Sequence, residues 1–281
     1  MTYLTEEKSK ELEDKAFAVR ETVIRMLTAA GSGHTGGSLG MADIFTLLYF
    51  HVMKHDPKNP MWEERDRLIL SNGHITPVRY AAMAHAGYFP VEDCMTLRKF
   101  GSPLQGHPER DLLPAVETTS GPLGSGLSQA AGIAYGARMD GKKFRVYCLT
   151  SDGEQQEGNT WEAAMFIAKN RLTNMVQIVD RNNIQISGTT EDVMPLEPFA
   201  DKYRAFGWHV IEVDGHNMEE VADALERSRA VKEKPTCIIA YTIPGKGVKE
   251  IENDYRWHGV WPKDKDQEAS FITQLHEAYG K

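Results

Sequence analysis

The chain has 281 residues, 41% of them hydrophobic and 26% charged, which are the proportions of a folded globular protein rather than of a disordered or fibrous one. Its formal net charge of −8 argues against a nucleic-acid partner, because affinity for phosphate backbones rests on Lys and Arg. The polar, acidic first residues and the lack of any run of about eighteen apolar residues predict a cytoplasmic protein without a membrane partner.

The first third of the chain predicts two helices, a strand and a third helix. Apolar residues at helical spacing cover residues 5–30, with Gly31 as the stop, and the run MADIFTLLYFHVM predicts a second helix. The glycine-rich segment GSGHTGGSLG between them is expected to be a loop. Residues 65–70 then predict a strand, and the alanine-rich residues 77–86 predict a helix.

The rest of the chain alternates helices with short apolar strands. Irregular backbone is expected over residues 99–126, and helices are expected over residues 127–139, 160–169, 218–231 and 263–281. Four apolar runs have the length of buried strands: FRVYCLT, NMVQIVD, WHVIEV and PTCIIAYT. This alternation predicts an α/β fold, with one domain over residues 1–281 in which a parallel sheet is flanked by helices.

The three cysteines give no sign of a cross-linked or metal-binding framework. Cys94, Cys148 and Cys237 are far apart and odd in number. We therefore expect buried thiols rather than disulfides or a zinc site.

Two polar residues follow neighbouring strands at one edge of the predicted sheet. Asp152, with Gly153, comes directly after FRVYCLT, and Asn182 follows NMVQIVD. The carboxyl ends of parallel strands are where ligands bind in such sheets. Carboxylate and amide oxygens, together with a backbone carbonyl, suit a hard divalent cation that bridges to phosphate oxygens. DG and NN are also common turn dipeptides, so only their pairing predicts a magnesium or calcium diphosphate site.

The segment from Asp152 to Asn182 resembles the thiamine diphosphate signature, with Ser151 at the first glycine of the usual GDG. Within it, EQQEGNTWEAA resembles transketolases, and the similarity extends from the first helix through KGVKEIENDYRWHGV. The chain is thus similar to a transketolase N-terminal domain. This resemblance implies the thiamine diphosphate-binding fold, of the diphosphate-binding type, and thiamine diphosphate with Mg²⁺ as cofactors, Ca²⁺ or Mn²⁺ being the alternatives.

The resemblance also implies which residues hold the cofactor and the cation. Metal ligands would be Asp152, Asn182 and Ile184, the last through its backbone. The glycine and leucine of the loop TTSGPLGSG would contact the cofactor rings, with an isoleucine pressing from the other side. The implied cofactor-binding residues are His74, Gly121, Leu123, Asp152, Gly153, Glu154, Asn182, Ile186 and His258.

Four residues receive catalytic roles from the same resemblance. His34, in SGHTGG, and His258, in WHGV, would assist proton transfer at the sugar hydroxyls, a task that suits a near-neutral pKa. His107, in GHPE, would contact the donor sugar near its first carbons. Glu157 would support the partner chain's glutamate that protonates the aminopyrimidine ring.

Transketolases continue with a pyrimidine-binding domain, which carries that glutamate, and a third domain. This sequence ends at Lys281, shortly after the WHG motif. The resemblance therefore implies the first subunit of a split transketolase. Both further domains would lie on a C-terminal partner subunit, with two copies of each chain in a heterotetramer. The expected reaction is transfer of a two-carbon ketol unit from a ketose, or ketose phosphate, to an aldose or aldose phosphate.

Other functions stay open at this point. Deoxyxylulose phosphate synthases share the SGH motif and the DG and Asn signature, although their chain is normally continuous. A specialised transketolase could act on a branched or sulfonated sugar. The chain could also be a cofactor-binding module that is inactive without its partner. An NAD-dependent protein is disfavoured, because no GxGxxG follows an early strand.

Overall fold

A five-stranded parallel sheet forms the centre of the structure, a computed structural model that describes residues 4–281. All four strand pairings are parallel, which confirms the predicted sheet. A separate antiparallel hairpin, which the sequence did not predict, pairs β4 (Ile184–Gln185) with β5 (Gly188–Thr189). In spatial order the strands of the main sheet are β1 (Arg67–Leu70), β2 (Val146–Ser151), β3 (Met175–Arg181), β7 (Thr236–Tyr241) and β6 (His209–Asp214).

Helices cover both faces of the sheet, and each face has its own apolar core. One core contains the apolar faces of α1 (Glu6–Ala30), α2 (Thr35–Gly40), α3 (Ala42–Leu47), α4 (Thr76–His85), α9 (Met218–Ala230) and α10 (Lys265–Tyr279). The other core contains those of α5 (Ser125–Met139), α6 (Gly158–Lys169) and α8 (Phe199–Ala205). The short helix α7 (Thr190–Val193) follows the hairpin.

Successive strand residues enter opposite cores, because side chains alternate across a sheet. In β1, Leu68 and Leu70 lie in the first core and Ile69 lies in the second. This double burial explains why the strands are continuous apolar runs rather than alternating patterns. The run WHVIEV is the exception: β6 is an edge strand in which buried and exposed residues alternate, so the prediction of a fully buried strand was wrong there.

The first helix has the ends that its sequence predicts. The Thr5 side chain accepts a hydrogen bond from the backbone N–H of Lys8, and Glu6 and Glu7 stand in the first turn, where the helix dipole favours negative charge. Gly31 ends the helix in the left-handed conformation at φ 62°.

The glycine-rich segment after Gly31 is helical, contrary to the sequence prediction of a loop. Residues Thr35–Gly40 form α2, and the predicted second helix is divided into α3 and a π-helical turn over Leu48–Val52. A Cβ on Gly37 would lie 2.8 Å from the Ile75 side chain, and one on Gly40 would lie 2.9 Å from the Ile243 carbonyl. Close packing against neighbouring segments therefore stabilises a helix that intrinsic propensity disfavours.

A buried ion pair connects three helices of the first core. Both terminal nitrogens of Arg20 donate to the Asp43 carboxylate, at 2.8 and 2.6 Å, and its Nε donates to the Leu39 carbonyl at 3.0 Å. His216 Nδ1 lies 2.7 Å from Asp43 Oδ2. Burial opposes ionisation of Asp43, but Arg20 and His216 outweigh it and hold its pKa at about 2. These contacts thus fix α1, α2 and α3, together with the loop after β6.

Two further sequence predictions concern cysteines and membranes. All three cysteines are buried, unpaired thiols, as predicted. Among residues 4–281, no helix is both long and apolar enough to cross a membrane.

Replacing Asp43 with Ala should lower the free energy of unfolding by about 3–5 kcal/mol, because Arg20 would be left as an unpaired buried charge. Urea unfolding followed by circular dichroism measures this loss. The matched control is Asp201→Ala, which breaks an exposed pair with Arg204 and should cost no more than about 1 kcal/mol. Equal losses in the two variants would contradict the structural role of the buried pair.

Candidate active site

Three of the predicted histidines meet in one cluster. The ring centroids of His34 and His74 lie 4.8 Å apart, those of His34 and His258 5.6 Å, and those of His74 and His258 5.2 Å. They come from three distant segments, which precede α2, follow β1 and precede α10. Thr35 donates from its backbone and its hydroxyl to the Val260 carbonyl, at 3.1 and 2.7 Å, and thereby fastens the start of α2 to the WHGV segment.

The environment of the cluster keeps these imidazoles neutral. Burial lowers the pKa of His34 from 6.5 to about 4, with smaller contributions from neighbouring positive groups. Burial also lowers the pKa of His74 well below 6.5 and lowers that of His258. Nδ1 of His34 and Nδ1 of His258 are buried and have no hydrogen-bond partner within the described residues. A neutral imidazole can exchange a proton with a bound hydroxyl through whichever ring nitrogen that hydroxyl can reach.

Asp152 lies fully buried at the end of β2, as the strand pattern predicts. Its carboxylate accepts from the backbone N–H of Gly153 at 2.7 Å and of Asn183 at 2.6 Å, and Arg181 Nη1 lies 3.2 Å from Oδ2. Burial raises the pKa of Asp152 to about 6 despite Arg181 and these N–H donors. A further cation beside this carboxylate would favour its charged form.

Asn182 is held at the end of β3 by hydrogen bonds on both ends of its amide. Its Nδ2 donates to Asp180 at 2.9 Å, and its Oδ1 accepts from the backbone N–H of Ile184 at 3.0 Å. Asn183, between Asn182 and Ile184, has the left-handed φ of 63°, which turns the chain from β3 into the hairpin. The two predicted ligand segments are thus joined by the bond from Asn183 to Asp152.

These residues fit a divalent cation of the magnesium type. The described residues contain no group of three or more His, Cys, Asp and Glu side chains arranged to hold a metal. A cation here would therefore use oxygen donors of three kinds: the buried Asp152 carboxylate, the Asn182 amide and a backbone carbonyl at Ile184. Such a set, completed by phosphate oxygens, is typical of Mg²⁺ and Ca²⁺.

Most of the predicted site residues line one cavity of about 270 Å³. His34 joins it through its ring contacts with His74 and His258, and Asp152 is tied to it through Gly153 and Asn183. The geometry therefore brings the histidine cluster and the oxygen donors to the same space. The predicted residues in its wall are His74, Leu123, Gly153, Glu154, Glu157, Asn182, Ile184, Ile186 and His258.

Glu154 lines this cavity, but its carboxylate forms hydrogen bonds with other residues of the chain. One oxygen accepts from the Ser71 hydroxyl and from the Gly124 N–H at 2.6 Å, and the other accepts from the Ser151 N–H at 3.1 Å. Burial raises the pKa of Glu154 to about 7, which these donors only partly offset. Direct contact of Glu154 with a cofactor stays a prediction, whereas its link between three segments is part of the fold.

Two predicted residues mark the open side of the cavity. The Ile186 side chain is 72% exposed, although a large apolar residue is ordinarily buried. Glu157 is also exposed, and its carboxylate forms no ion pair within the described residues. Both side chains are therefore available to another molecule at this side.

His107 and Gly121 lie on the other side of the cluster. A Cβ on Gly121 would be 3.7 Å from the His107 ring, and Gly121 has a φ of 156°, so a glycine suits this close approach. His107 faces a second cavity, of about 690 Å³. Burial, followed by the charge of Arg98, lowers the pKa of His107. The structure thus separates His107 from the ring contacts of the other three histidines.

Sequence reasoning missed Arg181, which contacts the candidate metal ligand. Arg181 also lies 2.7 Å from Glu191 and 3.0 Å from Glu197, so it ties Asp152 to the segment after the hairpin. The available signal was a charged residue at the end of a buried apolar strand, which needs a partner.

The sequence of residues 13–280 matches the family described as transketolase, thiamine diphosphate binding domain. The chain is 42% identical over 254 residues to a 6-deoxy-6-sulfo-D-fructose transketolase subunit of Clostridium sp. (strain MSTE9), covering 90% of this chain and 92% of that protein. It is 40% identical over 251 residues to an apulose-4-phosphate transketolase subunit of Phocaeicola vulgatus, covering 89% of each.

Longer proteins match over only part of their length. Human transketolase is 38% identical over 279 residues, which cover 96% of this chain and 43% of that protein. The crystal structure of transketolase from Campylobacter jejuni superposes with a TM-score of 0.85 at 34% identity, over 96% of this chain and 46% of that one. The chain therefore spans less than half of these transketolases and nearly all of the two subunit-type relatives.

Replacing His34 with Asn should weaken the acid sensitivity of the isolated chain. Between pH 6.5 and 4 the unfolded chain protonates this imidazole and the folded chain does not, so the free energy of unfolding falls as the pH drops. At pH 5 the loss from His34 is about 2 kcal/mol. Urea midpoints at pH 7.5 and pH 5 measure it. His276→Asn, outside the cluster, is the control; identical pH slopes for wild type and His34→Asn would contradict the burial effect.

Proposed function

This chain belongs to the transketolase family, as its thiamine diphosphate-binding domain, and we propose that it is the first subunit of a two-chain transketolase. The proposed enzyme transfers a two-carbon ketol unit from a ketose to an aldose, with thiamine diphosphate and a divalent cation as cofactors. The observation that carries the proposal is the shared cavity, in which the ends of β2 and β3 bring oxygen donors next to a cluster of neutral histidines.

Asp152, Asn182 and the backbone at Ile184 would hold the cation, and the cation would neutralise the diphosphate in a chain whose net charge is −8. Mg²⁺ is the proposed ion, with Ca²⁺ and Mn²⁺ as alternatives that the same donors accept. His74 and His258 would approach the diphosphate. The cofactor supplies the carbon chemistry of the transfer, while the protein orients it and excludes water.

The apolar residues of the cavity would surround the cofactor rings. Leu123 would contact the rings from the loop that Gly124 fastens to Glu154, and Ile186 would close the opposite side. The exposure of Ile186 in the isolated chain supports a site that is completed by other groups. Removal of water from this space strengthens every electrostatic contact inside it.

The histidines would manage protons and position the sugar. His34 and His258 belong to the cluster at the cavity, and each imidazole would accept a proton from a sugar hydroxyl. Because burial keeps them neutral, they are available as bases at neutral pH. His107, beside the larger cavity, would orient the donor ketose.

A partner subunit is part of the proposal. The chain matches subunit-type transketolases over nearly their whole length and longer transketolases over less than half. Glu157, exposed and without an ion pair within the described residues, would receive the catalytic glutamate of the partner's pyrimidine-binding domain. We propose a heterotetramer of two copies of each chain, located in the cytoplasm, where unpaired thiols such as those of this chain persist.

The two subunit-type relatives are named for sulfofructose and for apulose 4-phosphate. Both names describe sugars with a terminal anionic group. We propose that the substrates of this enzyme are likewise anionic sugars, with the individual donor and acceptor set by both subunits.

Replacing Asp152 with Ala should remove metal-dependent binding of thiamine diphosphate, because the cation loses its one carboxylate ligand. The expected loss of affinity exceeds about 100-fold, more than removal of a group that only orients a ligand. Isothermal titration calorimetry with Mg²⁺ present measures it, and circular dichroism checks the fold. Asp201→Ala, at an exposed ion pair, is the control. Unchanged binding by Asp152→Ala would contradict the metal assignment.

Ketol transfer should be measurable only after the C-terminal subunit is added to the chain. The assay titrates thiamine diphosphate with Mg²⁺ into the chain alone and into the two-chain complex, and then measures ketol transfer. Turnover only in the complex supports the split enzyme. Turnover by the isolated chain would contradict the need for a partner, and absence of cofactor binding in both samples would overturn the transketolase proposal.

A further inference from the structure

The cavity beside His107 has a polar wall and a size suited to a sugar phosphate. Its volume is about 690 Å³, within the range of small-molecule sites. Ser32 and Ser120 contribute hydroxyls to the wall, and the Ser120 oxygen is buried without a hydrogen-bond partner within the described residues. Arg98 contributes a guanidinium. Ser32 and Ser120 have no role in the site described above, and Arg98 enters it only through its charge, which lowers the pKa of His107.

The backbone holds Arg98 in an uncommon conformation against the His107 loop. Its φ is 61°, in the left-handed region that arginine rarely adopts, and its N–H donates to the Leu104 carbonyl at 2.9 Å. A Cβ on Gly106 would lie 2.7 Å from Arg98 Nε and 2.8 Å from Cζ. The guanidinium therefore lies against the backbone directly before His107, in the space that a side chain on residue 106 would otherwise enter. Strain of this kind is typical of functional positions.

Arg98 keeps its charge available. Within residues 4–281 it forms no ion pair, and its terminal nitrogen makes a single long hydrogen bond, 3.4 Å, to Ser32. Some exposed arginines elsewhere in the chain pair with carboxylates, as Arg204 does with Asp201 and Arg256 with Asp254. In a chain of net charge −8, an arginine without a carboxylate partner inside a cavity is an unused anion receptor.

The wall contains one carboxylate, that of Glu109, which already accepts hydrogen bonds from neighbouring residues. Glu109 accepts from the Thr119 hydroxyl at 2.6 Å and from the backbone N–H of Asp111 at 3.3 Å. Its remaining lone pairs can accept hydrogen bonds from sugar hydroxyls. The cavity therefore offers an oxyanion receptor and a hydroxyl acceptor beside the same histidine.

Building on the proposed function, we propose that Arg98 binds the terminal oxyanion of the sugar substrate, with Ser32 and Ser120 as supporting hydroxyl donors. The oxyanion is a tetrahedral group, either phosphate or sulfonate, and the planar guanidinium can donate two parallel hydrogen bonds to it. This chain, and not only its partner, then determines the preference for charged sugars. Arg98 acts in substrate binding, while the proton transfers remain with the histidines.

The test uses the two-chain complex with Arg98→Gln in this subunit. Turnover is measured with fructose 6-phosphate, with 6-deoxy-6-sulfofructose and with uncharged fructose as donors. The ratio of kcat/KM for each charged ketose to that for fructose should fall about 10- to 100-fold, as expected for loss of a charge-assisted contact. Arg98→Lys should restore part of this kcat/KM ratio, since lysine keeps the positive charge but lacks the paired N–H donors of the guanidinium. A fall with only one charged ketose identifies which oxyanion the site takes.

The matched control is Lys99→Gln, which removes the same charge one residue away, from a side chain outside this cavity. It should leave the ratio within about two-fold, because exposed charges act weakly through salt solution. An unchanged ratio in Arg98→Gln would overturn the proposal. Equal losses for charged and uncharged donors would also overturn it, because Arg98 would then act through the histidines.

A second measurement does not depend on turnover. Inorganic phosphate and, separately, sulfate are titrated into the complex while the ring resonances of His107 are followed by NMR, with His107→Gln for assignment. Both anions should shift the resonances in wild type and not in Arg98→Gln. No shift in wild type overturns the anion site even if the enzyme is active. If the anions shift the His107 resonances but the complex shows no ketol transfer, the anion site is supported and the proposed function is contradicted.

Discussion

The carboxylate of Glu154 accepts hydrogen bonds from three segments that are far apart in sequence, and the cavity exists only while they stay together. Ser71 belongs to the loop that carries His74, Gly124 belongs to the loop that carries Leu123, and Ser151 ends β2 immediately before Asp152. Burial of a carboxylate costs free energy unless its lone pairs accept hydrogen bonds. Moving any of the three segments away would leave one of these lone pairs without a donor, and this cost holds each segment in place.

Two kinds of burial give the site its chemistry. Around the histidines, burial disfavours the protonated form and leaves the rings neutral at neutral pH. At the strand ends, burial disfavours the ionised form of Asp152, which only Arg181 and backbone donors oppose in the protein alone. The same low-polarity interior therefore keeps imidazoles neutral on one side and, on the other, leaves a carboxylate whose charged form a neighbouring cation would favour.

The sequence was sufficient for the parallel strands of the main sheet and for placing Asp152 and Asn182 after neighbouring strands. Asp152 and Asn182 could be paired because strand ends in a parallel sheet share one edge. The helical state of Thr35–Gly40 could not be predicted, since it depends on packing against Ile75 and Ile243 rather than on local preference. Likewise, the hydrogen bond between Glu154 and Gly124 joins residues distant in the chain, and no local pattern records it.

The two edge strands of the sheet determine whether two copies of the chain can pair strand to strand. Strand β1 has only four residues, and β6 alternates buried Ile211 and Val213 with exposed Glu212 and Asp214. Charged side chains along an edge oppose the addition of a strand from a second copy, and Glu212 is held in place there by Arg204 at 2.8 Å. The alternation that distinguishes this edge strand from the buried ones therefore also disfavours strand-to-strand association of two copies.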